Sequence, residues 1–264
     1  MKQRVISAIV ALIIVIPIII LGGTVFYIGA SLLALIGLYE LLRVKDKIKK
    51  IPLTIKVLSV ISYLLLLYNN LNKLAFLTNY EVYLLILLLL ITPIVFYNKS
   101  KKYDIEDALF IIASILFLGI GFTSIINIRM FDLKYLIFIM SITIFTDTFA
   151  YIVGRLIGKN KFAPTVSPNK TWEGFIGGLV FGTFISTVYY ISVFNYSGNY
   201  LKIIFIIAIL STIGQIGDLV FSSIKRHYKI KDFGNIMPGH GGVLDRLDSI
   251  IFVSMAFNVL FNIM

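Results

Sequence analysis

The chain has 264 residues, of which 59% are hydrophobic, with 24 Lys and Arg against 13 Asp and Glu, two His and no Cys. Its mean hydropathy of +0.95 and its apolar share lie well above the ~45–50% apolar content of globular chains, which excludes a water-soluble protein and predicts an all-α polytopic integral membrane protein. The absence of Cys excludes disulfides, thiolate metal centres and Cys nucleophiles, and two isolated His argue against a His-based site, so any metal would be oxygen-ligated and Mg²⁺-like. The net charge of +11 speaks for topology signals and anionic lipid; no motif for nucleic acid is present.

About 20 apolar residues cross a bilayer core, and runs of this kind predict about nine spans, near 5–21, 24–42, 53–68, 81–97, 105–127, 133–153, 174–194, 201–221 and 247–263. The first run, after Lys2 and Arg4, exceeds a signal-peptide core and lacks an Ala-x-Ala site, so it is expected to be retained. With nine alternating spans, all but Lys73, Arg129, Lys134 and Lys202 of the 24 Lys and Arg fall on one side of the membrane. The positive-inside rule then puts the N-terminus in the cytoplasm, together with the two long polar loops 154–173 and 222–246. Arg43 to Lys50 is expected to anchor the chain on anionic lipid, and Asp104, Glu106 and Asp107 to open a helix at the positive end of its dipole.

Charges inside the apolar boundaries are the sharper signal, because a carboxylate there costs roughly 2.5–3.5 kcal/mol on insertion scales. Asp147 lies in the sixth run, and Thr143, Asp147, Tyr151 and Arg155 recur at intervals of four, on one helix face. In the eighth run Ser211, Gln215, Asp218, Ser222 and Lys225 form one polar stripe, which should face the bundle interior or a water-filled cavity. Asp245 and Asp248 share a face at the start of the ninth run, where they are either metal ligands or simple N-terminal acids. Before them Gly239, Gly241 and Gly242 allow close backbone approach, and His240 is a phosphate donor or a turn residue. The loop 158–174 gathers Lys159, Lys161, Ser167, Asn169, Lys170, Thr171 and Glu173 and reads as an anion site, with Thr171 placed to cap the next helix.

At these residues the chain resembles the phosphatidate cytidylyltransferase (CDP-diacylglycerol synthase) family. The family's terminal signature stands here as Ser222, Lys225-Arg226, Lys231-Asp232, Gly234, Pro238-Gly239-His240-Gly241-Gly242, Asp245-Arg246 and Asp248. An earlier block stands as Asp147-Thr148, Ala150-Tyr151, Gly154-Arg155, Gly158-Lys159, Ser167-Pro168-Asn169-Lys170-Thr171-Trp172-Glu173-Gly174 and Gly177-Gly178. The likeness covers about residues 147–249, and the first half matches only in hydropathy and span number.

The resemblance implies an Mg²⁺-dependent nucleotidyltransferase, with one cation or two, that makes CDP-diacylglycerol and pyrophosphate from CTP and phosphatidic acid. It implies Asp218, Lys225, Arg226, Lys231, Asp232 and His240 as catalytic residues. Asp147, Tyr151, Arg155, Ser167, Asn169, Lys170, Thr171, Glu173, Ser222 and Arg246 bind substrate on this reading, and Asp218, Asp245 and Asp248 hold metal. Residues 1–132 would form an N-terminal region of five spans, and 133–264 a catalytic region of four. The expected location is the inner or plasma membrane, in contact with lipid and with the site facing the cytoplasm; a homodimer is an expectation from the family alone. A CTP-dependent lipid kinase and an ion-coupled transporter are the competing readings. The kinase would need a base for a hydroxyl proton, and the transporter would need broken midplane helices and paired repeats.

Overall fold

The computed structural model describes residues 2–72, 79–97, 102–236, 239 and 241–261. Among them are ten helices, α1 (Lys2–Leu21), α2 (Gly23–Asp46), α3 (Leu53–Asn72), α4 (Asn79–Ile91), α5 (Pro93–Tyr97), α6 (Ile105–Phe131), α7 (Leu133–Ile157), α8 (Trp172–Phe194), α9 (Tyr200–His227) and α10 (Leu244–Leu260). A two-stranded antiparallel sheet, β1 (Lys161–Ala163) and β2 (Ser167–Thr171), joins α7 to α8. Six segments, Gly23–Asp46, Tyr80–Tyr97, Ile105–Phe131, Leu133–Ile157, Trp172–Phe194 and Tyr200–His227, are long and apolar enough to cross a membrane, and Ile9–Leu21 and Leu53–Asn69 are shorter apolar helices. The protein is thus an all-α polytopic membrane protein, in which helices satisfy the backbone where no water can.

Every expected span meets a helix, with two differences. The span predicted as 81–97 is broken between α4 and α5, because Pro93 has no N–H to continue the ladder and Thr92 turns its hydroxyl back onto the Leu88 carbonyl at 2.6 Å. α9 runs on to His227, beyond the apolar boundary at 221, with Lys225, Arg226 and His227 in a last turn whose negative dipole end suits cations.

The described chain forms two compact units, one of Met1–Asn127 with Asp232–Leu244, the other of Ile128–Lys231 with Asp245–Met264. In the first, α2 buries Ala30, Ala34, Leu38 and Leu41 at helical spacing. At its basic end Lys45 pairs with Asp107, and Lys49 with both Asp104 and Asp107. Asp104 and Asp107 also accept each other's backbone N–H, at 3.2 and 3.0 Å, a reciprocal cap on α6. Glu40, only 1% exposed, sits on α2 and accepts the backbone N–H groups of Val243 and Leu244 at 2.9 and 3.0 Å. One turn away, the Leu244 side chain packs on Gly37.

In the second unit α7 and α8 lie close because small residues face each other. A Cβ on Gly174 would come 2.6 Å from the Ala150 carbonyl, and one on Gly178 would come 2.6 Å from the Thr146 carbonyl. The turn to α9 uses Asn195 in the left-handed region, φ 48°, and Asn199 as an N-cap whose side chain accepts from Lys202 N at 3.2 Å. Short closure of this kind makes α8 and α9 an antiparallel hairpin that returns the chain to its starting side.

Candidate active site

The polar stripe on α9 faces inward, and each of its members has a partner in the second unit. Ser211 Oγ lies 2.8 Å from Thr146 Oγ1 on α7, and Gln215 Nε2 donates to the Phe175 carbonyl on α8 at 3.2 Å. These two are interhelical hydrogen bonds that fix α9 against its neighbours. The next turns change character. Asp218 Oδ2 is 2.6 Å from Lys170 Nζ, Ser222 Oγ donates to Asp218 Oδ1 at 3.4 Å, and Lys225 Nζ is 2.8 Å from Asp245 Oδ1. Structural amide and hydroxyl contacts thus give way to charge towards the end of the helix.

That end is built to terminate there. Lys229 takes the left-handed conformation at φ 53°, while its N–H reaches the Arg226 carbonyl at 3.0 Å and Ile230 N reaches the Lys225 carbonyl at 2.9 Å. The pair of bonds is a Schellman cap, with lysine where glycine is usual. Arg226 adds a tether, donating from Nε to the Val166 carbonyl at 3.1 Å and from Nη1 to the Ile230 carbonyl at 3.3 Å. Val166 lies in the turn between β1 and β2, so the loops 154–173 and 222–246 meet through Arg226, while Lys170 of β2 reaches Asp218 earlier on α9.

The 158–174 loop, read from sequence as an anion site, is a hairpin in which Lys161 faces Thr171 and Ala163 faces Ser167. Glu173 secures its start by accepting from Asn160 N at 3.2 Å and Asn160 Nδ2 at 2.8 Å. Thr171 caps α8 as expected, its Oγ1 accepting from Gly174 N at 3.1 Å. Phe162, Trp172 and Phe175 stack edge to face or tilted beside it, with ring centroids 4.4 to 6.0 Å apart.

These elements enclose a cavity of about 550 Å³, within the ~300–1,000 Å³ range of small-molecule sites. α7 lines it with Asp147, Tyr151 and Arg155, β2 with Asn169 and Lys170, α9 with Asp218, and α10 with Asp245 and Asp248. Arg155 Nη1 donates to Tyr151 Oη at 3.2 Å, so the α7 face read at intervals of four is intact from Asp147 onward; Thr143, its first member, turns back onto its own helix. Ala150, Gly154, Phe162, Gly174, Phe175 and Gln215 also line the cavity. Of these Phe162 and Phe175 were not singled out from sequence, although Phe175 stands four residues after Thr171 on the same side of the chain.

Carboxylates from three helices open onto one space and offer the hard oxygen donors that Mg²⁺ takes. Among the described residues no three acids stand close enough to grip one ion. Lys170 and Lys225 instead neutralise Asp218 and Asp245. The donor chemistry fits an oxygen-ligated cation, with these lysines as the counter-charges.

Thr171 also lines the cavity, whereas Ser167, Glu173, Ser222, Lys225, Arg226, Lys231 and Arg246 of the second unit are not among its lining residues. Ser167 is half-buried at the start of β2, Ser222 reaches the cavity only through Asp218, and Arg246 and Lys231 are exposed. Asp232 belongs to the first unit, and His240 lies outside the described residues.

Comparison with known proteins gives a consistent picture. A model of the Cytidylyltransferase family matches residues 2–264. The chain is 40% identical over 262 residues to a Phosphatidate cytidylyltransferase of Staphylococcus haemolyticus (strain JCSC1435), covering 98% of each chain. It is equally similar, 40% over 262 residues with 98% of each covered, to one of Staphylococcus saprophyticus subsp. saprophyticus. Against one of Staphylococcus aureus (strain COL) it is 38% identical over 261 residues, again with 98% of each covered.

Proposed function

The chain belongs to the cytidylyltransferase family, and from that premise we infer that it is a phosphatidate cytidylyltransferase, forming CDP-diacylglycerol and pyrophosphate from CTP and phosphatidate. The observation that carries this reading is one cavity lined at once by carboxylates and by Lys170 and Arg155, inside the stretch where the polar signature lies. An anionic phosphate oxygen of phosphatidate attacks the α-phosphorus of CTP. The bond from that phosphorus to the oxygen bridging to the β-phosphate breaks, and pyrophosphate leaves with the electron pair. The nucleophile is already ionised near neutral pH, so no protein base is needed, and the main barrier is bringing two polyanions together in line.

The side chains address that barrier. Lys170, Arg155, Lys225 and Arg226 offset phosphate charge, and one or two of Asp218, Asp245 and Asp248 would hold Mg²⁺, with substrate and water oxygens completing its shell. Such a cation would supply Lewis-acid stabilisation of the charge that develops on the leaving group. The test is CTP labelled at one phosphate at a time, given to the purified protein with phosphatidate. Label from the α-phosphate should enter lipid and label from the γ-phosphate should appear in pyrophosphate, with both stopped by a chelator and restored by Mg²⁺. Transfer of the γ-label to lipid would mean a kinase, and no consumption of CTP would rule out both enzyme readings; turnover that persists in chelator would remove the metal.

We place the cavity at headgroup level on the cytoplasmic face. CTP is a soluble polyanion, whereas pulling the acyl chains of phosphatidate from lipid would cost ~0.8 kcal/mol per CH₂, so the headgroup comes sideways to the site and the chains stay behind. Cysteine introduced as Asn169→Cys, exposed on β2 in a chain without Cys, gives the check. A membrane-impermeant maleimide should label it in inside-out vesicles, less so with CTP present; labelling only from the external face would reverse the orientation.

A further inference from the structure

We infer that Glu40 of α2 is a positioning residue for cytidylyl transfer, holding the end of the glycine-rich signature loop and the first turn of α10 from which Asp245 and Asp248 project. Glu40 lies in the part of the chain that carries no motif, in an apolar helix where an acid is costly to bury. It is 1% exposed, and its Oε1 and Oε2 accept from Val243 N and Leu244 N respectively. Those are N–H groups at the start of α10 that no turn of the helix itself can satisfy, and a carboxylate there also suits the positive end of the helix dipole.

The loop is shaped around this carboxylate. A Cβ on Gly234 or on Gly242 would meet Glu40 Oε1, so a side chain at either glycine would have to displace the carboxylate that holds residues 243 and 244. Gly37, one turn before Glu40, receives the Leu244 side chain, with a Cβ there only 2.9 Å from Leu244 Cδ2. α2 therefore fixes residues 243 and 244 through both backbone and side chain. Asp245 follows immediately, and its helix-mate Asp248 one turn later, so the rotation of this first turn sets where both carboxylates point.

The activity part of this inference rests on the phosphatidate cytidylyltransferase reading; the structural part does not. Glu40→Gln is nearly isosteric but presents an amide N–H to a backbone N–H, and Glu40→Asp keeps the charge but falls short by one methylene. Both should speed amide hydrogen exchange across 241–246 in the purified full chain while exchange in α7 and α8 stays as in wild type. Both should also lower kcat by about a hundredfold, the scale of a displaced catalytic group, with the KM for phosphatidate within about twofold. Unchanged exchange at 241–246 in a folded Glu40→Asp protein would overturn the inference, as would wild-type kcat in either variant. Should wild type itself leave CTP untouched, the function proposed above fails, and the exchange measurement still decides whether Glu40 holds the loop.

Discussion

Asp218→Asn should cut turnover by about 10²–10³, the usual loss when one preorganised electrostatic group is removed from a phosphoryl site. Asparagine keeps the volume and leaves an acceptor for Ser222, so the fold should not respond. The Asp218–Lys170 pair is 28% exposed at both side chains, and pairs open to solvent contribute at most about 1 kcal/mol to stability. The expected signature is therefore a collapse of kcat with thermal stability unchanged, and a deeper deficit at limiting Mg²⁺. If Asp218→Asn kept near-normal turnover at limiting Mg²⁺, Asp218 would be no metal ligand, and its ion pair would be only a fastening for β2.

Asp218 also illustrates what a sequence can disclose. Its stripe is readable because five polar residues at steps of three and four in an apolar helix admit one interpretation, an inward face, and the structure seats all five. The spans were readable for the same reason, since hydrocarbon demands long apolar helices. The β1–β2 hairpin was not, because Lys161–Ala163 and Ser167–Thr171 are too short for alternation to register and one of them contains Pro168. Glu40 escaped for a different reason: one acid among Leu38, Tyr39, Leu41 and Leu42 has no periodic companion, and its partners are backbone groups some 200 positions away, which no side-chain pattern encodes. Gly234 and Gly242 point the same way. Sequence explains a glycine by turn or ligand, whereas here the neighbour that a Cβ would meet is a side chain from another helix.

Lys225→Ala should do damage of a second kind, to stability as well as activity. Lys225 Nζ lies 2.8 Å from Asp245 Oδ1, with the two side chains only 12% and 4% exposed. Removing one partner of a buried pair typically costs about 3–5 kcal/mol, because the remaining charge cannot be rehydrated. The single variant should thus unfold at markedly lower denaturant or temperature and turn over poorly. Lys225→Met combined with Asp245→Asn separates the two effects, since a buried ion pair replaced by neutral groups of similar size is often close to neutral for folding. The double variant should recover most of the lost stability and little of the turnover, because it returns neither a cation for the triphosphate nor a negatively charged carboxylate for metal. Recovery of turnover along with stability would show that this pair serves the fold alone, and would move the nucleotide charge onto Lys170, Arg155 and Arg226.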